Sequence, residues 1–111
     1  MPRFAVLIHD WPEPHFDLFL EAGSVLLSWK LPADFSLLIS SPIVSAPPHR
    51  TFYLDYEGVV EGGRGIVTRW DSGQFRWIEV GMRAKFFGQK LTGVYEWVGD
   101  RGGITTFGPI T

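Results

Sequence analysis

The chain has no cysteine. That excludes disulfide staples, thiolate zinc sites and cysteine nucleophiles. Histidine is scarce, with three residues in 111. Positive charge is not in excess: ten lysines and arginines face twelve acidic residues, for a formal charge of −2. A domain that held nucleic acid mainly through phosphates would be basic. A polyanionic ligand would therefore need a local patch or a metal. No apolar run approaches the roughly 20 residues of a membrane-spanning helix, so no membrane partner is expected. Met1-Pro2-Arg3-Phe4 leads directly into a strand-like run, with no leader peptide expected. The expected location is cytoplasmic, which the lack of cysteine fits.

Helical periodicity is missing as well. No window holds a 3.6-residue period beyond two turns, and the hydrophobic period is mostly two. What is present is aromatic and turn-rich: five tryptophans, nine phenylalanines, 13 glycines and 8 prolines. That composition favours β structure. Strands are expected at 4–9, 15–21, 24–31, 51–55, 65–70, 75–80, 85–87, 91–98 and 105–110. A short strand at 36–39 interrupts a long proline-bearing connection over 32–48. Asp71-Ser72-Gly73 reads as a hairpin turn. The spacing predicts an all-β domain, a small antiparallel β-barrel of about eight strands with little helix. Closure would remove the edges that so many strands create.

Two of the three histidines fall in one stretch, Ile8-His9-Asp10-Trp11-Pro12-Glu13-Pro14-His15-Phe16-Asp17. Residues i and i+2 of a strand share a face. His15, Asp17 and Phe19 therefore point one way, and Phe16, Leu18 and Leu20 the other. The polar set is expected on a concave side of the barrel. His9 ends the preceding strand, with a proline-stiffened loop between. If the two strands pair, His9 can face His15 and Asp17. Two imidazoles and a carboxylate suit a divalent first-row metal with open positions. Spacing alone leaves a second reading open, in which Asp17 simply orients His15 or closes the proline loop. His49 follows Pro47-Pro48, which present it rigidly, and Arg50 is adjacent. A metal, a titratable imidazole and an arginine together suit phosphoester cleavage.

Longer patterns extend the comparison along the chain. Phe4-Ala5-Val6, His9, His15-Phe16-Asp17 and Leu20-Glu21 follow F-V-V-x-x-H-x5-H-Y-D-x-R-L-E. Val25-Leu26-Leu27-Ser28-Trp29 and Pro32 follow G-V-L-x-S-W-x-x-P. His49, Tyr53 and Tyr56-Glu57-Gly58 follow H-P-L-x-Y-x-x-F-E-G. Trp70-Asp71-Ser72-Gly73-Gln74-Phe75 and Lys90-Leu91-Thr92-Gly93-Val94-Tyr95 supply two further blocks. With these blocks in this order, the chain resembles the 3′-phosphoesterase domain of bacterial and archaeal DNA ligase D. The resemblance covers nearly the whole chain and implies one such domain over residues 1–111.

The resemblance implies a metal-dependent 3′-phosphoesterase trimming 3′ ends of DNA or RNA-tipped DNA in repair. It implies a divalent metal, manganese first, with zinc or cobalt as alternatives. The ligands would be His9, His15 and Asp17. His49 would be the catalytic imidazole at the phosphate and Tyr53 a residue lining the site. A ligase or polymerase would be the repair partner. Departures from the pattern fall on the cations that contact phosphate. The family's arginine two residues after the ligand aspartate is Phe19 here, its lysine after S-W-x-x-P is Ala33, and a further arginine falls at Ser41. Arg50, Lys30 and Arg64 are the nearest replacements. Trimming by this depleted clamp is expected to be weak, and Phe19→Arg is expected to raise it. The alternative is a non-catalytic module that keeps the barrel, with or without the metal, and binds a DNA end or a repair partner. Trp70, Trp77 and Trp97 are expected in the core. Gly62-Gly63-x-Gly65 is not a phosphate loop, because no helix follows it.

Overall fold

The computed structural model describes residues 1–110. Nine strands run in chain order: β1 (Arg3–His9), β2 (His15–Ala22), β3 (Val25–Pro32), β4 (Ser41–Arg50), β5 (Gly58–Val59), β6 (Ile66–Glu79), β7 (Arg83–Phe87), β8 (Thr92–Gly99) and β9 (Thr105–Pro109). The sheet order is β1-β2-β3-β4-β9-β8-β7-β6, and β6 returns to pair with β1. Eight strands thus close into an antiparallel barrel, as the sequence predicts. β5 is a two-residue addition alongside β6. The only helical element among the described residues is a 3-10 turn at Thr51–Leu54.

Period-two alternation gives the barrel wall two apolar faces. Phe4, Val6, Leu18, Leu20, Leu31, Ile43, Phe75, Phe86, Trp97 and Phe107 fill the lumen from all around the ring. Trp70 and Trp77 pack against this cluster, and Trp97 belongs to it, as expected. A second cluster lies on the outer wall, where Ala5, Leu7, Phe19, Leu26 and Val67 meet Leu54 and Val60. The connection from 51 to 65 is therefore folded back over the outside of β1, β2 and β3. Each large side chain buried there contributes roughly 1.5–3 kcal/mol. Polar ties add to it. The Arg69 guanidinium donates to the Leu54 carbonyl at 3.1 Å, and Ile66 N–H donates to the Asp10 carboxylate at 2.7 Å. Arg3 pairs with Asp55, and this hydrogen bond holds the Asp55 carboxyl below its ordinary range.

Four local expectations are corrected. Residues 36–39 form no strand: Phe35 N–H turns back to the Pro32 carbonyl, and Leu38 N–H bonds the Ser36 hydroxyl. Leu38 is 85% exposed, so nothing there anchors a strand. The strand of this region is β4 instead, and it carries three prolines. Pro47 and Pro48 sit at a register shift, since Ser28 faces Ala46 while Leu26 faces His49. A bulge needs no ladder donors, so prolines are tolerated there. Residues 51–54 form a 3-10 turn that drops Leu54 into the outer cluster.

Asp71-Ser72-Gly73 is not a hairpin turn but the interior of β6. The first part of that strand pairs with β1 and the last part with β7. A bulge at Trp70 lets it turn the corner, with Val6 opposite Asp71 and Leu7 opposite Arg69. Gly73 is required by close approach, since a Cβ there would lie 2.4 Å from the Phe87 carbonyl oxygen. The buried Asp71 carboxylate accepts N–H groups of Gln89, Lys90 and Leu91 at 3.2, 3.0 and 2.7 Å. Among the described residues no helix is long and apolar enough to cross a membrane.

Candidate metal centre

His9 ends β1 and His15 begins β2, directly opposite one another in the ladder. Asp17 is two residues along β2 and shares their face. Register and alternation bring the three together. Their candidate ligand atoms all lie within 4.8 Å of one another. Asp17 Oδ2 is 3.1 Å from His9 Nδ1, and Asp17 Oδ1 is 3.0 Å from His15 Nε2. The set sits on the outer wall, on the face of Ala5, Leu7 and Phe19, rather than on a concave inner side of the barrel. The lumen is filled with aromatic and aliphatic side chains and has no room for it.

The outer nitrogens decide the chemistry. His9 Nε2 is 2.7 Å from the Arg64 carbonyl, and His15 Nδ1 is 2.8 Å from the Glu13 carbonyl. A carbonyl only accepts, so both of these nitrogens carry hydrogen. In a neutral imidazole the inner nitrogens, His9 Nδ1 and His15 Nε2, are then bare. They face a carboxylate that is 6% exposed. With both rings neutral, three acceptors meet at one point with no donor between them, an arrangement that a cation would satisfy. Two ligands at right angles on an ion about 2.2 Å away stand about 3.1 Å apart. The residues present therefore fit a divalent metal, and the carbonyls act as the outer partners that fix each ring's tautomer.

Local structure supports those carbonyls. Asp10 N–H donates to the Ile66 carbonyl at 3.3 Å, and the Asp10 carboxylate accepts from Ile66 N–H at 2.7 Å. This clamp fastens the loop carrying Arg64 to the end of β1. Gly65 makes the clamp possible. It has φ +79°, and a Cβ there would fall 2.2 Å from Asp10 Oδ1 and 2.6 Å from Trp11 Cβ.

Beside the three residues runs a groove of about 390 Å³. Asp17 and Phe19 of β2 and Lys30 of β3 line its floor. Trp11, Val60 and Arg64 line one side, and Pro47, Pro48, His49 and Tyr53 the other. His49 Nδ1 is 2.9 Å from the Pro47 carbonyl and carries hydrogen, leaving Nε2 as the ring nitrogen without that partner. Its ring lies 5.0 Å from Phe19 and 5.7 Å from Tyr53. His49 shares the groove but lies outside the three-ligand set. Lys30 faces Asp17 in the ladder and is exposed. Arg50 is not among the groove residues, and its guanidinium stacks 4.6 Å from the Phe52 ring centroid.

Phe19 is 2% exposed and packs against both His49 and Tyr53. It is a structural floor rather than an open position awaiting an arginine. Sequence reasoning missed Asp10, Gly65 and the two backbone carbonyls. Carbonyls leave no residue signal. The glycine cluster at 62–65 was visible but was read only as a phosphate loop that fails.

Fold and site together define a small closed β-barrel with a histidine-histidine-aspartate centre on its outer wall. Comparison with known proteins gives the family. The pattern of the DNA Ligase D 3′-phosphoesterase domain matches residues 8–98, and the chain belongs to that family. It is 31% identical over 77 residues to a Mycobacterium tuberculosis (strain H37Rv) protein, the multifunctional non-homologous end joining DNA repair protein LigD. A Mycobacterium bovis protein, the multifunctional non-homologous end joining protein LigD, is similar to the same extent. Each alignment takes in 65% of this chain and 10% of the relative. The chain thus matches about a tenth of the length of these curated relatives.

Proposed function

We propose that this chain is a metal-dependent 3′-phosphoesterase that acts on 3′ ends of DNA or RNA-tipped DNA during end-joining repair. A divalent ion, manganese first, would be held by His9 Nδ1, His15 Nε2 and Asp17. The observation that carries this is the pair of bare imidazole nitrogens turned on one buried carboxylate. Such an ion stabilises charge that develops on a phosphoryl group. His49 stands in the same groove with Nε2 available to give or take a proton. Lys30 and Arg64 supply positive charge at the groove. Tyr53 holds His49 and Phe19 in place. Arg50 lies outside the groove lining, with its guanidinium over the Phe52 ring, so the phosphate contact is assigned to Lys30 and Arg64.

A second reading is a module that binds a DNA end or a ligase or polymerase partner without cleaving. The observation favouring it is Phe19, an apolar floor where phosphate contact would call for a cation. The two readings separate in one assay. Primer–templates ending in 3′-phosphate or in a 3′-ribonucleotide are incubated with the protein and manganese. Release of phosphate or of the terminal nucleoside, lost in His49→Ala and Asp17→Ala, supports the enzyme. Metal-dependent binding of the ends without any release supports the module.

A further inference from the structure

We infer that Trp11 is a specificity residue, a stacking platform for the base of the terminal nucleotide whose phosphate meets the metal centre. This rests on the function proposed above and names how its substrate is held. Of the five tryptophans, Trp97 lies in the lumen, and Trp29, Trp70 and Trp77 pack against the lumen cluster. Each of those four has an aromatic neighbour. Trp11 has no such ring partner among the described residues. It is 43% exposed and lines the groove two residues after His9.

An exposed indole on a loose loop would mean little, but the backbone that carries this one is fixed. Gly65 packs its backbone against Trp11 Cβ, at a separation that would put an added methyl 2.6 Å away. Pro12 follows and narrows the backbone of Trp11. A ring carried on a fixed backbone loses less entropy, when a flat ligand stacks on it, than one on a mobile loop. Across the floor, β4 stands three strand steps from β1, about 14 Å at the usual spacing. Its Pro47 and Pro48 give that wall a flat apolar surface as well.

The charge inventory points the same way. Lys30 and Arg64 are the cations of the groove, and apart from His9, Asp17 and His49 the rest of its lining is aromatic or aliphatic. With so few phosphate contacts, affinity must come from the nucleoside. Stacking on aromatic rings provides it without choosing among bases. A second groove shares Pro12 and Lys30 with the first and continues past His15. It leaves a path for the nucleotides upstream of the terminal one.

The test uses the manganese-loaded chain and short single strands ending in a 3′-phosphorothioate, which slows turnover. Strands with a terminal thymidine and with a terminal abasic tetrahydrofuran are compared by fluorescence anisotropy. The parent is expected to prefer the base-bearing end by about tenfold or more. Trp11→Ala is expected to lose that preference and Trp11→Phe to keep most of it, with manganese affinity unchanged in both by calorimetry. Equal binding of the two ends by a parent that takes up manganese overturns the inference alone. So does a preference that survives in Trp11→Ala. Failure of the parent to take up manganese overturns the metal-centre reading and this inference with it; failure of the manganese-loaded parent to bind either end overturns the proposed action on DNA ends, and this inference with it.

Discussion

Asp17 is the residue on which the site depends, because its carboxylate is buried between two nitrogens whose other sides are already committed as donors. Removing the carboxylate takes away one candidate ligand and the negative charge that would compensate an ion. Asp17→Ala is expected to abolish manganese uptake, measured by calorimetry, while circular dichroism still reports the barrel. Asp10 acts one step further out. It touches no candidate ligand directly but fastens the loop whose Arg64 carbonyl fixes the tautomer of His9. Loss of such an outer partner costs about 10–100-fold in metal affinity. Asp10→Ala is expected to weaken manganese binding by that factor, with His9, His15 and Asp17 all still present. An affinity equal to the parent's would mean that the loop holds its place without the clamp.

At the scale of elements, the site is the product of a strand pair and a covering connection. β1 and β2 supply the candidate ligands. The turn at Thr51–Leu54 and the loop to Gly65 supply the wall, the Arg64 carbonyl and the position of Tyr53. That cover is attached through the outer apolar cluster, so it can be loosened without opening the lumen. Leu54 is buried at 2% exposure and lies wholly in the outer cluster. Leu54→Ala is expected to cost about 2–5 kcal/mol. Hydrogen exchange should quicken over 51–65 before it quickens in β8 and β9. Phe19→Arg places a charge into the same cluster. It is expected to destabilise the chain, read as a lowered midpoint in urea, rather than to raise activity.

The clustering of His9, His15 and Asp17 was legible in the sequence because it is local. A proline loop joining two strands, with i and i+2 on one face, leaves few ways to arrange His9, His15 and Asp17. The barrel was legible from period-two runs and turn residues. What escaped reading depends on contacts remote in sequence. Asp-Ser-Gly at 71–73 has the chemistry of a turn. It becomes a strand corner only because β1, β7 and the loop at 89–91 gather around it. The strand β4 was hidden by Pro47 and Pro48, whose bulge is defined by β3. The outer wall was hidden because alternation says which residues share a face but not which face closes inward.

At the scale of the whole molecule, a net charge of −2 argues against binding dominated by phosphates. With Lys30 and Arg64 as the groove's cations, log K for a single-stranded end should fall with log salt at a slope of about −1.4. A much steeper slope would reveal a basic surface away from the groove. The account as a whole stands on the metal. Its most direct measurement is a calorimetric titration of the parent chain with manganese at neutral pH. The expected result is one ion bound per chain, with uptake lost on adding a chelator. Absence of any saturable uptake would contradict it.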